Sequence, residues 1–464
     1  MVFSEYTFLF HFLPVFLAVY FATPARFRTI PLVIASYAFY GWVRYDFCLI
    51  MLASTVLDWA VSRRLEVTTG GRARRLLVAC SVAGNLGLLA WFKYKNFGID
   101  SWNTVATSLD LPEITVGQLI LPVGISFYTF QSLSYTIDVY RRTVPAERSF
   151  LTFAAYVSLF PQLVAGPIVR YREIRESLAA PGPDTALFAR GVFRFGLGLA
   201  KKVLIADSVG RFADHLFDGP FAGTGAIDAW TGVVAYSVQI YFDFSGYSDM
   251  AIGLGAMLGF RLPENFDSPY RSASVTEFWR RWHMTLSSWL RDYLYIPLGG
   301  NRRGRARTWV NLAVTMLLCG LWHGAQWTFV AWGAWHGALL LVERAGLVGD
   351  LDRFRPVRRF GTLLCVTLGW VVFRAADFDV AGRIFRSLFF LDGLGTFTLA
   401  LWWSPLPGLI ALSAGVLLAV WSPNTAVFER RITTPRAACA IALFWLACLT
   451  VLFQDYSPFL YFQF

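Results

Sequence analysis

Apolar runs of membrane-spanning length recur along the chain, separated by short polar links. They fall near 6–22, 27–43, 45–62, 75–92, 118–139, 150–169, 188–206, 228–258, 308–342, 360–375, 400–421 and 437–454. A helix rises about 1.5 Å per residue and the hydrocarbon core is about 30 Å thick, so a run of about 20 residues crosses once. Two runs are too long for this. As one helix, 308–342 would extend about 52 Å; it must break, turn or tilt, and Gly324 is the natural place. The run 228–258 has a similar excess and carries Asp243, Ser245, Gly246 and Asp249. The run 118–139 contains Pro122, Gly124 and a cluster of Ser, Thr and Gln. Broken or re-entrant pieces survive at membrane depth only when covered by protein or lining a cavity. The middle of the chain is therefore where a site is expected. The pattern predicts an all-α, polytopic helical membrane protein with about 10–13 spans, re-entrant pieces included.

Composition supports that class. Hydrophobic residues make up 56% of the 464 and charged residues 15%, against about 25% charged in soluble domains. The net charge is +11, and the basic residues fall in short links: Arg63 to Arg75, Arg141 to Arg148, Arg302 to Arg307, Arg353 to Arg359 and Arg430 to Arg436. That distribution is the positive-inside pattern and sets nucleic acid aside as a partner. It suits anionic lipid or an anionic acyl donor. Arg26, Arg28 and the 63–75 link place the N-terminus outside; beyond residue 160 the breaks destroy the parity count. The run Tyr6 to Ala22 reads as a retained span rather than a signal peptide. No polar stretch is long enough for a separate core, so 1–464 reads as a single membrane domain.

The 6 cysteines form no CxxC pair and read as packing residues, with no metal site expected. The five histidines divide by context. His11 and His215 read as packing or surface residues. His323 lies in the Trp322-His323-Gly324-Ala325 break, where an imidazole at membrane depth needs a partner, water or a task, and where it is suited to proton transfer. His336, 13 positions on, would lie about 140° away on an unbroken helix and face another direction. His283 follows Arg280 and Arg281 in an amphipathic stretch, where its plain reading is a headgroup-level residue. Asp138, Asp207, Asp243 and Asp249 lie in or beside apolar runs. They read as ion-pair partners for Arg141, Lys201 or Lys202, or as the lining of a polar path. From Phe278 to Gly300, arginines and aromatics interleave as at an interface; Arg280, Arg281, Arg291, Asn301 and Arg302 are candidate contacts for donor phosphates. No P-loop, GxSxG elbow or HExxH motif is present.

Four motifs carry a resemblance. They are Leu121-Pro122-Val123-Gly124-Ile125-Ser126-Phe127-Tyr128-Thr129-Phe130-Gln131, then Phe160-Pro161-Gln162-Leu163-Val164-Ala165-Gly166-Pro167, then Tyr241-Phe242-Asp243-Phe244-Ser245-Gly246-Tyr247-Ser248-Asp249. The fourth joins Phe278-Trp279-Arg280-Arg281-Trp282-His283 to Tyr293 through Asn301 and to Gly320-Leu321-Trp322-His323-Gly324-Ala325. In this order they resemble the membrane-bound O-acyltransferase (MBOAT) family. The likeness is closest to the bacterial branch of alginate O-acetylation and teichoic-acid D-alanylation, over nearly the whole length.

The resemblance implies a multi-pass protein of the bacterial inner membrane, built around a central tunnel that donor enters from the cytoplasm and acceptor from outside. It places the essential histidine on His323 and a second tunnel histidine on His283. The reading that follows is O-acyl transfer from acetyl-coenzyme A, with no permanently bound cofactor, to an envelope polysaccharide or an extracytoplasmic relay protein. The alternatives are D-alanyl transfer from a carrier protein, an ion-coupled transporter, and a scaffold for polysaccharide export.

Overall fold

The computed structural model describes residues 1–179, 182, 184–219, 225–347, 354–395, 405–454 and 460. Every regular element among the described residues is helical. Contacts group the chain into two compact units, Met1–Gly191 with Ala251–Pro263, and Val192–Met250 with Glu264–Phe464.

The first unit holds α1 (Leu13–Ala22), α2 (Thr29–Tyr40), α3 (Phe47–Val67), α4 (Gly71–Leu89), α5 (Ile125–Tyr140), α6 (Phe150–Ser158) and α7 (Tyr171–Ala179). The apolar helix of α4 runs on through a π-turn at Ala90–Tyr94 to Ser108. The first residues of the 118–139 run are irregular, and α5 begins only after Gly124, which has a left-handed φ of 75°. Asp58 lies fully buried between helices. Its carboxylate accepts hydrogen bonds from Ser81 Oγ at 2.5 Å and Asn85 Nδ2 at 2.9 Å of α4, and from Thr136 Oγ of α5 at 3.5 Å, so three helices share one polar knot where water is scarce.

The second unit is built on a pair of buried charge networks. Its helices are the C-terminal part of α8 (Thr185–Ala200), followed by a π-turn and Asp207–Asp218; α9 (Ala226–Leu258) as far as Met250; and the short α10 (Val275–Arg281) and α11 (Met284–Leu290). Then come α12 (Gly304–His323), α13 (Trp327–Arg344), α14 (Arg355–Arg374), α15 (Phe378–Leu388), α16 (Pro405–Trp421), α17 (Thr425–Glu429) and α18 (Thr434–Phe453). Of the break, turn or tilt that its length allowed, α9 shows no break: it is one continuous helix of 33 residues, about 50 Å long. Its acidic residues are neutralised in place instead. Asp243 pairs with Lys202 at 2.8 Å, and Lys202 also pairs with Asp207. Asp249 pairs with Arg194 at 2.9 Å and Lys201 at 2.6 Å. Arg194 spreads its guanidinium to Glu264 and Glu429 as well, the latter at 3.0 Å. These carboxylates therefore take the ion-pairing role the sequence allowed for, and α9 stays continuous because no backbone group has to be freed to satisfy them.

The run 308–342 does break at Gly324, where the last turn of α12 gives way to extended backbone with φ −157°. Three residues later α13 starts, and the two helices form an antiparallel hairpin. Gly320 abuts the carbonyl of Phe329 and Gly333 that of Met316, so a Cβ at either would collide with backbone. Small residues here allow the close approach that drives helix pairing in lipid.

Among the described residues, three helices are long and apolar enough to cross a bilayer by length and composition: Gly71–Ser108, Arg355–Arg374 and Thr434–Phe453. Phe8–Ala22, Thr29–Tyr40 and Pro407–Trp421 are shorter apolar helices. On α18, Ile441, Trp445, Leu449 and Phe453 are all exposed. In water such a stripe would be a liability, whereas in hydrocarbon it is the expected outer face.

Replacing Arg194 with methionine would leave three carboxylates around a missing guanidinium, Asp249 among them and nearly fully buried. We expect a loss of about 3–5 kcal/mol of stability, read as a lower unfolding midpoint of the detergent-purified protein; an unchanged midpoint would show that the network is not holding the unit.

Candidate active site

Three of the five histidines meet on one run of aromatic rings in the second unit. His283 sits edge-on to Phe244 at 4.7 Å and lies 5.9 Å from Trp322. Trp322 lies 5.0 Å from His323, His323 5.1 Å from Trp332, and Trp332 4.9 Å from His336. Phe373 closes on His323 at 5.3 Å. All three imidazoles are buried, His283 and His336 completely. Edge-to-face contacts of this kind fix ring orientation as well as burying area.

Each histidine owes its place to local sequence. His323 is the last residue of α12, so its ring leaves the helix at the break before Gly324. The break also overturns the unbroken-helix expectation for His336. Because α13 folds back along α12, both histidines contact the same Trp332 rather than pointing 140° apart. His336 packs parallel to Phe278 at 6.2 Å and edge-on to Trp279 at 5.3 Å. Neither of its ring nitrogens has a hydrogen-bond partner among the described residues.

His283 is not a headgroup-level residue. It lies between α10 and α11 with φ 43° and ψ 55°, a left-handed conformation that non-glycine residues adopt at a cost of about 1–3 kcal/mol. Its Nδ1 is 3.1 Å from Asn265 Oδ1. The same oxygen accepts from the Thr285 backbone N–H at 3.3 Å and from Thr285 Oγ at 2.8 Å. A backbone N–H can only donate, so this atom is the amide oxygen, and it requires the proton on Nδ1. On the other side, Asn265 Nδ2 donates to Ser248 Oγ at 3.2 Å, and the Asn265 carbonyl accepts from the Met284 N–H at 2.9 Å. His283 Nε2 is thus left as the lone-pair nitrogen, with no hydrogen-bond partner among the described residues. A neutral imidazole pinned at one nitrogen and open at the other is equipped to accept a hydrogen bond or a proton.

The candidate donor contacts divide. Arg281 is committed to carboxylates, to Glu277 at 3.0 Å and Asp267 at 3.3 Å. Arg291 pairs with its neighbour Asp292 at 2.7 Å. Asn301 accepts from the Tyr295 hydroxyl. Arg280 and Arg302 are exposed. All five lie outside the aromatic run of the described residues. His11 is exposed beside Tyr6 at 5.2 Å, and His215 is half-buried on the amphipathic helix Asp207–Asp218 rather than in a loop between spans.

Asn265, Phe244, Trp332 and Phe373 escaped the sequence reading as partners of the histidines. Only Asn265 left a signal: it stands in the polar link Pro263-Glu264-Asn265-Phe266-Asp267 a few residues after α9. Among the described residues no group of three or more His, Cys, Asp or Glu side chains is arranged to hold a metal ion.

Residues 142–348 match the membrane-bound O-acyltransferase family. The chain is 45% identical to the probable alginate O-acetylase AlgI of Azotobacter vinelandii, with the full length of both covered. It is 36% identical to the peptidoglycan O-acetyltransferase of Helicobacter pylori over 85% of this chain and 81% of that protein. It is 32% identical to the teichoic acid D-alanyltransferase of Streptococcus thermophilus over 48% of this chain and 57% of that protein. Four motifs in order, an all-helical apolar architecture and full-length relatives lead to one conclusion: the chain belongs to the membrane-bound O-acyltransferase family and is a membrane acyltransferase.

Proposed function

We propose that the enzyme moves an acetyl group from acetyl-coenzyme A to a hydroxyl of an envelope polysaccharide, directly or through an extracytoplasmic relay protein, in the bacterial inner membrane. Full-length identity to a probable alginate O-acetylase carries this reading. The D-alanyl reading has support over only about half the chain.

The chemistry is thioester alcoholysis. The acceptor oxygen attacks the acetyl carbonyl carbon, the C–S bond breaks, and the hydroxyl proton passes to His323 and then to the departing thiolate, which leaves as free coenzyme A. His323 supplies general-base help, which typically contributes about 10²–10⁴-fold. His283 offers Nε2 to a polar group of the acceptor and so orients it, Asn265 holding the ring in the required tautomer. Holding donor and acceptor end to end removes the entropy cost of a bimolecular encounter. Water would hydrolyse the thioester, and the packed rings of Trp322, Trp332 and Phe373 around His323 keep it away. Arg280 and Arg302, exposed and in no ion pair among the described residues, are the arginines best placed to meet coenzyme A phosphates. Arg281 and Arg291 serve their own neighbouring carboxylates first.

Purified enzyme given acetyl-coenzyme A should release free thiol and acetylate a polyuronate or envelope glycan. Release only with an aminoacylated carrier protein would favour the D-alanyl reading. His323→Ala should lower the turnover by about 10²-fold or more with the fold intact; unchanged turnover would remove His323 from the mechanism.

His283→Gly keeps the left-handed bend, which glycine adopts freely, so it should fold while losing transfer. Asn265→Leu frees the tautomer and should lower turnover at any donor concentration, most steeply where His283→Gly has no further effect when combined with it. Independent, additive losses in the double variant would separate the two residues.

A further inference from the structure

The first unit carries a small polar pocket of its own. Past its π-turn, α4 continues from Lys95 to Ser108, and the link that follows runs back along it. Two asparagines on one helical face fasten that link. Asn96 Nδ2 donates to the Leu119 carbonyl at 3.0 Å, and its Oδ1 accepts from the Leu119 N–H at 3.2 Å. Asn103 holds Ile114 in the same two-handed way, at 3.1 and 2.8 Å. The clamps are about 10 Å apart along the helix axis, whereas the chain from Ile114 to Leu119 can reach about 17 Å. The link therefore has slack, and it arches off the helix. Beneath the arch is a cavity of about 190 Å³, lined between the clamps by Ile99 and Asp100 of the helix and by Thr115, Val116 and Gln118 of the link.

The basic links give its side of the membrane. Arg63 to Arg75 mark the start of α4 as cytoplasmic. Asn96 lies about 37 Å along the axis from Gly71, beyond a hydrocarbon core of about 30 Å. The pocket therefore faces the extracytoplasmic side. Its polar groups are unspent. Asp100 is exposed, and among the described residues its carboxylate makes no ion pair or hydrogen bond; nor do the side chains of Thr115 and Gln118. The nearby cation counts too: the Lys95 ammonium donates to the Gly117 carbonyl at 3.3 Å and lies over the Trp91 ring at 5.2 Å. From residue 95 to 118 that single lysine stands against Asp100, Asp110 and Glu113, so the local balance is acidic in a chain whose net charge is +11. An anionic ligand is disfavoured here. One carboxylate is too few for a hard divalent cation, which takes about 6–8 oxygen ligands. Hydroxyl groups suit it, because they donate charge-assisted hydrogen bonds to a carboxylate. The volume equals that of about six waters and falls short of the roughly 300 Å³ at which drug-sized sites begin. It seats one sugar ring rather than a nucleotide or an acyl chain.

We propose that this pocket binds one uncharged, hydroxyl-bearing sugar residue of an extracytoplasmic glycan. Asp100 accepts from two neighbouring hydroxyls, Thr115 and Gln118 meet further polar groups of the ring, and Ile99 and Val116 rest against its C–H face. The binding stands on the pocket alone. That the glycan is the acceptor, held here by one of its residues, rests on the acyl-transfer reading.

The test is isothermal titration of the full chain in nanodiscs with three probes: glucose oligomers, N-acetylglucosamine oligomers and uronate oligomers. The variants are Asp100→Ala, which removes the acceptor, and Val116→Trp, which fills the cavity from an exposed position. Asp110→Asn is the control: it removes an exposed acid outside the pocket, and asparagine tolerates the left-handed φ of 52° there. The expected result is that a neutral oligomer binds wild type and control alike and binds both pocket variants at least about tenfold more weakly, with uronate oligomers the poorer ligands throughout. No binding of either neutral oligomer, equal binding in all four proteins, or a preference for uronate oligomers would overturn the site. Should Asp100→Ala fail to fold, Val116→Trp decides the matter in the same way. Thiol release from acetyl-coenzyme A is followed in the same samples. Neutral-oligomer binding without thiol release would support the pocket and remove only its link to transfer. Thiol release without oligomer binding would overturn the pocket and leave the transfer reading standing.

Discussion

A hydrogen bond from His283 Nδ1 to the side-chain oxygen of Asn265 organises the central part of this enzyme. Fully buried, an imidazole gains no orientation from water and can rotate or change tautomer unless protein holds it. Here one amide oxygen collects the ring, a backbone N–H and the Thr285 hydroxyl, and Asn265 reaches back to Ser248 of α9. The left-handed backbone at His283 is the conformational cost of presenting the ring this way. Strained non-glycine residues persist where surroundings over-determine them, and such places concentrate at functional sites.

Around this bond the unit solves two problems set by lipid. Polar groups inside must be satisfied by protein, and the carboxylates of α9 are, through Lys202, Lys201 and Arg194. Backbone may be irregular only where it is covered, and the breaks at His283 and Gly324 both lie against aromatic rings. Charge pairing lets α9 run unbroken while the two breaks let His283 and His323 leave their helices. The result is a frame carrying two bent segments, and the imidazoles sit on the bends.

Much of this was legible. The excess length of 308–342 required a break, and Gly324 is where it occurs. The apolar runs anticipated the helices, and the four motifs anticipated the family. What misled was treating length as sufficient reason to break. The run 228–258 is equally long, yet Lys and Arg from distant sequence neutralise its aspartates and no break is needed. The convergence of His336 with His323 on Trp332 was hidden because angular spacing on a helix means nothing across a hairpin. Asn265 was hidden because a lone amide in a short link carries no periodic signal, and its partner lies 18 positions away. Of the arginines between 280 and 302, a sequence shows the charge but not that Arg281 and Arg291 already have carboxylates.

The central claim is that His283 Nε2 and His323 face the reacting groups from within a sheltered, ring-lined interior. The most direct measurement is an experimental structure of the enzyme with a non-transferable thioether analogue of acetyl-coenzyme A and an oligosaccharide acceptor. The account predicts the acetyl carbon beside His323, with an acceptor hydroxyl within about 3 Å of an imidazole nitrogen. Both substrates bound at full occupancy, with the acetyl group far from either ring and sealed packing around His323, would contradict it.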